Sequence, residues 1–314
     1  MNTLRLLGRL SAPAAWLATL ALSGCGATFD PGTQVDSLRV LAVRADAPFA
    51  HPGDTVHLSA LSYDPAARPI SWAWAACPSP AGSSVEDCLE QVRGSAVAGE
   101  LPLLAMGEGI DNIDVPVPSD ALDGIPPEAR SLALAGIVQV ACPGDLEVLN
   151  IDSRIPFRCT DRDTGAEFGL HDMVVGVKRL FLREAEVNQN PVIDNILFDG
   201  EVWPSDDIKE VDGCTSNDFV YDDCQATGHK IAAVVSPDSI EAGVDEFGRD
   251  FSEQVIVQHY TTDGMFEDEV RLADDAETQW SARSSSSGND VTLWFVVHDD
   301  RGGVSWTTRK AHVR

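Results

Sequence analysis

The sequence predicts an all-β fold, two β-sandwich domains in tandem, and three observations carry that prediction. Apolar residues recur at every second position in many short runs, and Gly, Pro and Asp turn signals separate those runs. No segment after Cys25 shows a convincing amphipathic helix of ten or more residues. A length of 314 residues suits two domains, and 44% hydrophobic content is enough to build their cores. The chain carries 50 acidic residues against 22 basic ones, a net charge of −28. That excess repels phosphate backbones and argues against nucleic acid as a partner.

The chain opens on a basic segment, Met1 to Arg9, and continues through an apolar or small run from Leu10 to Ser23. This pattern predicts a secretory signal peptide over residues 1–24. The run is too short to span a bilayer, which takes roughly 20 apolar residues. Leu22-Ser23-Gly24-Cys25 resembles the lipobox of bacterial lipoproteins. The resemblance implies that Cys25 is acylated, becomes the first residue of the mature chain and anchors it to a membrane. Several acyl chains make a firm anchor, since each buried CH₂ contributes about 0.8 kcal/mol. Such proteins are retained in the inner membrane by an aspartate after the cysteine; Gly26 stands there instead and implies the outer membrane. Residues 25–34 would form the lipidated tether, with a reach of about 30 Å from Gly26 to Gln34.

Six cysteines remain in the expected mature chain: Cys77, Cys88, Cys142, Cys159, Cys214 and Cys224. An even number in an exported chain reads as disulfides. Their close spacing favours local pairing, 77 with 88, 142 with 159 and 214 with 224. No pair has the spacing of a zinc knuckle, and no histidine sits at a matching distance.

The first domain is expected over residues 35–186. Leu38 to Arg44 alternates apolar and other residues, Pro52-Gly53-Asp54 turns, and Val56, Leu58 and Ala60 share a strand face. Ile70, Trp72 and Trp74 alternate up to Cys77. This order of strand, turn, strand, turn and Trp-bearing strand resembles the opening of an immunoglobulin-like or fibronectin-III-like sandwich, in which such a tryptophan packs the core. Gly94 to Pro127 reads mostly as loop, with an edge strand at Ile113 to Val117. Leu132 to Val140 reads as a buried strand, Cys142 to Cys159 as a stapled loop and Met173 to Leu182 as a closing strand.

Val187-Asn188-Gln189-Asn190-Pro191 is the expected boundary, and the second domain follows over 187–314. Its strands are expected at Ile193 to Phe198, His229 to Val235 and Gln254 to Tyr260. A polar segment, Asp274 to Gln279, precedes a final hairpin: Val291, Leu293, Phe295 and Val297 share one face, Asp299 to Gly303 turns, and Val304 and Trp306 return.

No catalytic constellation stands out. There is no G-x-S-x-G elbow, H-E-x-x-H, P-loop or G-x-G-x-x-G, and the seven histidines are dispersed. Asp299 and Asp300 fall in a turn, where aspartate caps backbone groups. Asp161 begins a stretch that only partly matches a calcium loop. The acidic runs read first as a solvated surface; a calcium site is the alternative for Ser205 to Cys224, where Asp206, Asp207, Glu210, Asp212, Asp218, Asp222 and Asp223 crowd beside one base, Lys209, with Asn217 in reach. Lipobox, sandwich opening, Asn-x-Asn-Pro boundary and Gly-Gly hairpin together resemble uncharacterised lipoproteins of myxobacteria and related Gram-negative bacteria. The expectation is a non-catalytic outer-membrane lipoprotein that needs no cofactor and presents its sandwiches to an envelope protein or a glycan. A spacer without specific ligand, or a lipid-anchored polysaccharide hydrolase, are the alternatives.

Overall fold

The computed structural model describes residues 32–79, 85–149, 155–215, 224–245 and 248–314. Cys25, Asn217, Asp218, Asp222 and Asp223 lie outside the described residues. The described chain is overwhelmingly β. Its first half runs through β1 (Arg39–Ala45), β2 (Phe49–Ala50), β3 (Thr55–Tyr63), β4 (Ser71–Ser79), α1 (Val85–Ala98), β5 (Leu103–Glu108), β6 (Asn112–Pro116), β7 (Leu134–Cys142), β8 (Asp145–Val148), β9 (Phe157–Thr160) and β10 (Val174–Leu182). One sheet has the order β1-β3-β6 and the other β2-β10-β7-β4-β5. Between them lies a core built on Val56, Leu58, Trp72, Trp74, Ile137 and Leu180, with the two tryptophan rings stacked at 5.6 Å. Alternation explains the core: even-numbered positions of β3 and β4 face inward, the pleat turning successive side chains to opposite faces.

The second half comprises β11 (Ile193–Phe198), β12 (Glu201–Val202), β13 (Ile208–Val211), β14 (His229–Val235), β15 (Ala242–Val244), β16 (Asp250–Ser252), β17 (Ile256–Thr261), β18 (Met265–Phe266), β19 (Val270–Leu272), β20 (Glu277–Ser281), β21 (Asp290–His298) and β22 (Val304–Val313). The sheets are β12-β11-β14-β20-β18 and β13-β22-β21-β17-β19. Trp203, Ile231, Trp280, Leu293 and Phe295 fill the space between them and are buried.

Both halves share one topology. β1, β3 and β6 face β4, β7 and β10 in the first half as β11, β14 and β20 face β17, β21 and β22 in the second, in each case the division of strands A, B and E from C, F and G that marks the immunoglobulin fold. A short strand also pairs in parallel with the last one, β2 with β10 and β13 with β22. The chain is therefore all-β with two immunoglobulin-like sandwiches in tandem.

Two features differ from the sequence reading. A 14-residue helix, α1, lies where none was expected, and much of the segment read as loop from Gly94 is the end of that helix and strands β5 and β6. The stripe Cys88, Val92, Ala96 is buried at helical spacing. It is made of small residues, so its hydrophobic signal is weak; burial against β4 and β7, not intrinsic amphipathicity, stabilises the helix. The segment from Cys142 to Cys159 is likewise not a plain loop but includes the hairpin of β8 and β9.

Disulfides hold these additions to the outer face of the first sandwich. Cys77 bonds Cys88, clipping α1 to β4, and Cys142 bonds Cys159, clipping the hairpin to β7. Both bridges sit in one apolar cluster with Val92, Val138, Val140 and Phe157. Gly136 on β7 is required beneath the first bridge, because a Cβ there would collide with both sulfurs. The third bond, Cys214 to Cys224, closes one end of the second sandwich, where Cys214 N donates to Ala282 O at 2.8 Å. Replacing both Cys77 and Cys88 by Ala should lower stability by about 3 kcal/mol, the loop entropy of an 11-residue closure. Thermal melting measures this, and an unchanged midpoint would show that packing alone holds α1.

Candidate functional site

The two sandwiches meet along an apolar seam. On β1 and β3 the outward residues Leu41, Ala42, Leu61 and Tyr63 pack on outward residues of β17, β21 and β22: Tyr260, Trp294, Val296, Val304 and Trp306. Tyr63 and Trp294 approach to 4.9 Å between ring centroids, and the Arg44 guanidinium lies 4.6 Å from the Trp306 ring. The chain before β1 joins in, with Val35 N donating to Thr261 O at 2.8 Å. Gly32–Arg314 consequently forms one compact unit.

Polar groups lock the seam at the chain crossing. The Asn190 amide donates to Ala45 O at 2.8 Å, and its carbonyl accepts from Val304 N at 2.8 Å, so one side chain bonds both sandwiches. Asn188, itself buried, donates to Arg301 O at 3.3 Å. The turn between β21 and β22 is shaped by Asp299, which accepts from Arg301 N at 2.8 Å and Gly303 N at 2.7 Å. Asp299 thus does what an aspartate in a turn is expected to do. Gly302 holds φ +100°, and a side chain there would strike the Phe181 ring of the first sandwich. Arg301 lies between one ring from each sandwich, Phe49 at 4.9 Å and Phe251 at 4.5 Å, and bonds Glu241 at 3.1 Å and Glu253 at 3.4 Å.

The electrostatics of this joint follow from burial. Lys178 donates to Gly302 O at 2.9 Å; burial pulls its pKa down to about 8, against the attraction of Asp299. His298 is lowered to about 4 by burial and by Lys178, and it shares a 2.9 Å hydrogen bond with Gln258. Burial also raises Glu253 above the ordinary carboxylate range, reinforced by Asp299 and Glu241, while Arg301 and the Glu241 backbone N–H oppose the rise. A raised carboxyl beside a second one is the signature sought in glycoside hydrolysis. The Glu253 side chain is wholly buried beneath Arg301, however, and out of reach of a polymer. In the core of the second sandwich, His259 packs on Phe266 at 5.0 Å and Phe295 at 5.9 Å; burial lowers it to about 4.

The remaining residues singled out in the sequence are scattered. Asp161 accepts from Thr164 N at 2.8 Å and Asp163 N at 3.0 Å, bonds that lower its pKa and hold a local turn. In the acidic stretch, Ile208–Val211 is not loop but strand β13, Asp207 pairs with Lys209 at 2.7 Å, and Asp212 pairs with Arg314 at 2.9 Å. Among the described residues no three His, Cys, Asp or Glu side chains converge in a metal-binding group. The joint was partly readable in the sequence: its two asparagines stand in the boundary segment. Nothing local announced Arg301, Glu253 or Lys178, because their partners lie far away in the chain.

No protein-family model and no curated protein matches the chain. Among solved structures it is similar to the tandem Ig repeats of Dlar, at 9% identity and a TM-score of 0.26, covering 89% of this chain and 99% of that one. It is also similar to the N-terminal Ig1-2 module of the Drosophila receptor protein tyrosine phosphatase DLAR (9%, 0.25, 88% and 99%) and to the human desmocollin-1 ectodomain (12%, 0.20, 89% and 38%). The strand order of the two sheet pairs defines the fold.

Asn190→Ala removes hydrogen bonds to both sandwiches and should cost about 2 kcal/mol, measured by denaturant unfolding. The buried histidines set an acid limit. Below pH 6.5 the unfolded chain takes up protons at His259 and His298 that the folded chain refuses until about pH 4. Stability should therefore fall as pH drops from 6.5 to 4, and His298→Gln should flatten that slope. An unchanged slope in the variant would mean that His298 is not held neutral.

Proposed function

We propose that this is a non-catalytic envelope protein, anchored through acylated Cys25 to the outer membrane, that binds an envelope protein or a glycan. Tandem immunoglobulin-like sandwiches fit a binding or spacer role, and the joint makes them one compact unit. The observation that carries the binding reading is the outer face of β11, β14 and β20. The outer face of β10, β7 and β4 lies under α1 and the β8–β9 hairpin, and outward faces of β1 and β3 and of β21 and β22 are spent on the seam. On β11, β14 and β20, by contrast, outward Leu197, Ala232 and Val234 are half-buried, with Asn195, Lys230 and Glu277 exposed around them. At its edge a recess of about 320 Å³ is lined by Gln225, Lys230, Glu267, Glu277, Thr278 and Gln279. Amides, a hydroxyl and charges in a shallow recess match the hydroxyl pattern of a sugar.

The spacer reading draws on the same joint, since two sandwiches packed into one compact unit set a distance without any ligand. Capture from cross-linked envelopes separates the two. A partner or glycan recovered with the wild type and lost with Glu277→Arg plus Gln279→Arg, at unchanged melting temperature, supports binding; no difference between the two proteins supports a spacer. The anchor is tested separately. Cys25→Ala should remove the acyl mass and move the chain from the membrane pellet to the soluble fraction, and a variant that still sediments with its acyl mass would refute the assignment.

A further inference from the structure

The first sandwich is open at one end of its core, and the geometry points to a binding site there for a single linear acyl chain. Between the sheets lies a cavity of about 450 Å³. Ala76, Leu104, Val117, Ala135, Ile137 and Leu180 define its walls, and the whole lining consists of Ala, Val, Leu, Ile and Pro side chains. Exposed Pro102, Pro116 and Pro118 contribute to the lining, so the cavity reaches solvent.

Two observations say that this space is for a ligand. Protein interiors are close-packed, so a recess between the sheets lined only by hydrocarbon leaves core-type side chains without packing partners, a departure that the fold does not require. The same chain shows that it is not required. The matching end of the second sandwich is filled by Val211, Ala282, Val291, Ala311 and Val313, all buried, and is closed by the Cys214–Cys224 bridge. In the first sandwich small Ala76, Ala121 and Ala135 line the corresponding space, and both of its bridges sit on the other face of the sheet.

The lining chemistry selects the occupant. No charged, hydroxyl, amide or aromatic side chain is present to orient a polar or ring-bearing ligand. An apolar cavity of about 150 Å³ stays dry and takes one benzene, so three times that volume suits a flexible hydrocarbon of about fifteen carbons. A chain wholly of CH₂ groups gains from every wall without leaving a polar atom unsatisfied.

The test uses the full chain carrying Cys25→Ala, purified without detergent, so that its own acyl groups are absent and the result does not depend on the anchor. Titration with octanoate, laurate and palmitate should show saturable one-to-one binding that tightens by about fourfold per added CH₂ until the cavity is full. Ala135→Phe, which fills the cavity, should weaken palmitate at least tenfold. Ala121→Trp does the same from the loop after β6 and serves if Ala135→Phe fails to fold. Absence of saturable binding, binding indifferent to chain length, binding unaffected by both variants, or a flat aromatic probe that outcompetes palmitate would each overturn the assignment.

Discussion

The union of the two sandwiches depends on the seam in which Leu41, Leu61 and Tyr63 of the first cover Trp294, Val296 and Trp306 of the second. Each sandwich has its own inter-sheet core, but Trp294 and Val296 are outward-facing residues of β21 that are nonetheless buried. An immunoglobulin-like sheet with that face open to water would present an apolar strip flanked by aromatic rings, a liability for association. Covering it with β1 and β3 removes the strip from water and fixes the relation between the sandwiches.

The polar joint adds specificity to that apolar attraction. Lys178, Asp299, Glu253 and Arg301 are largely withdrawn from water around the turn that joins β21 to β22. Buried charges of this kind contribute little net stability after desolvation, yet breaking one partner leaves another uncompensated. They therefore penalise every arrangement other than the observed one. Asn190 performs the same service with neutral hydrogen bonds, since its amide satisfies a carbonyl of one sandwich and an N–H of the other.

How far the sequence reveals this follows from physical range. Strands with two-residue periodicity and one buried face, such as β3, β4, β14 and β21, were readable because the pattern is local. The final hairpin was clearer still, because Asp299 to Gly303 carries its own turn chemistry. Short strands such as β13 were not readable. Ile208–Val211 pairs in parallel with Lys310–Val313, about a hundred residues away, and its four residues, Ile-Lys-Glu-Val, carry no two-residue alternation that would stand out in an acidic stretch. Helix α1 escaped because Cys88 and Ala96 are weakly hydrophobic and find their partners only on the sheet. Arg301 looked like one more turn residue; its stacking between Phe49 and Phe251 exists only once three distant segments meet.

If the seam is the governing interaction, neither sandwich should unfold by itself. Scanning calorimetry of the chain at neutral pH tests this directly. A single transition whose calorimetric and van't Hoff enthalpies agree is the predicted result, with Trp294→Ala splitting it into two. Two separate transitions already present in the unmutated protein would contradict the account.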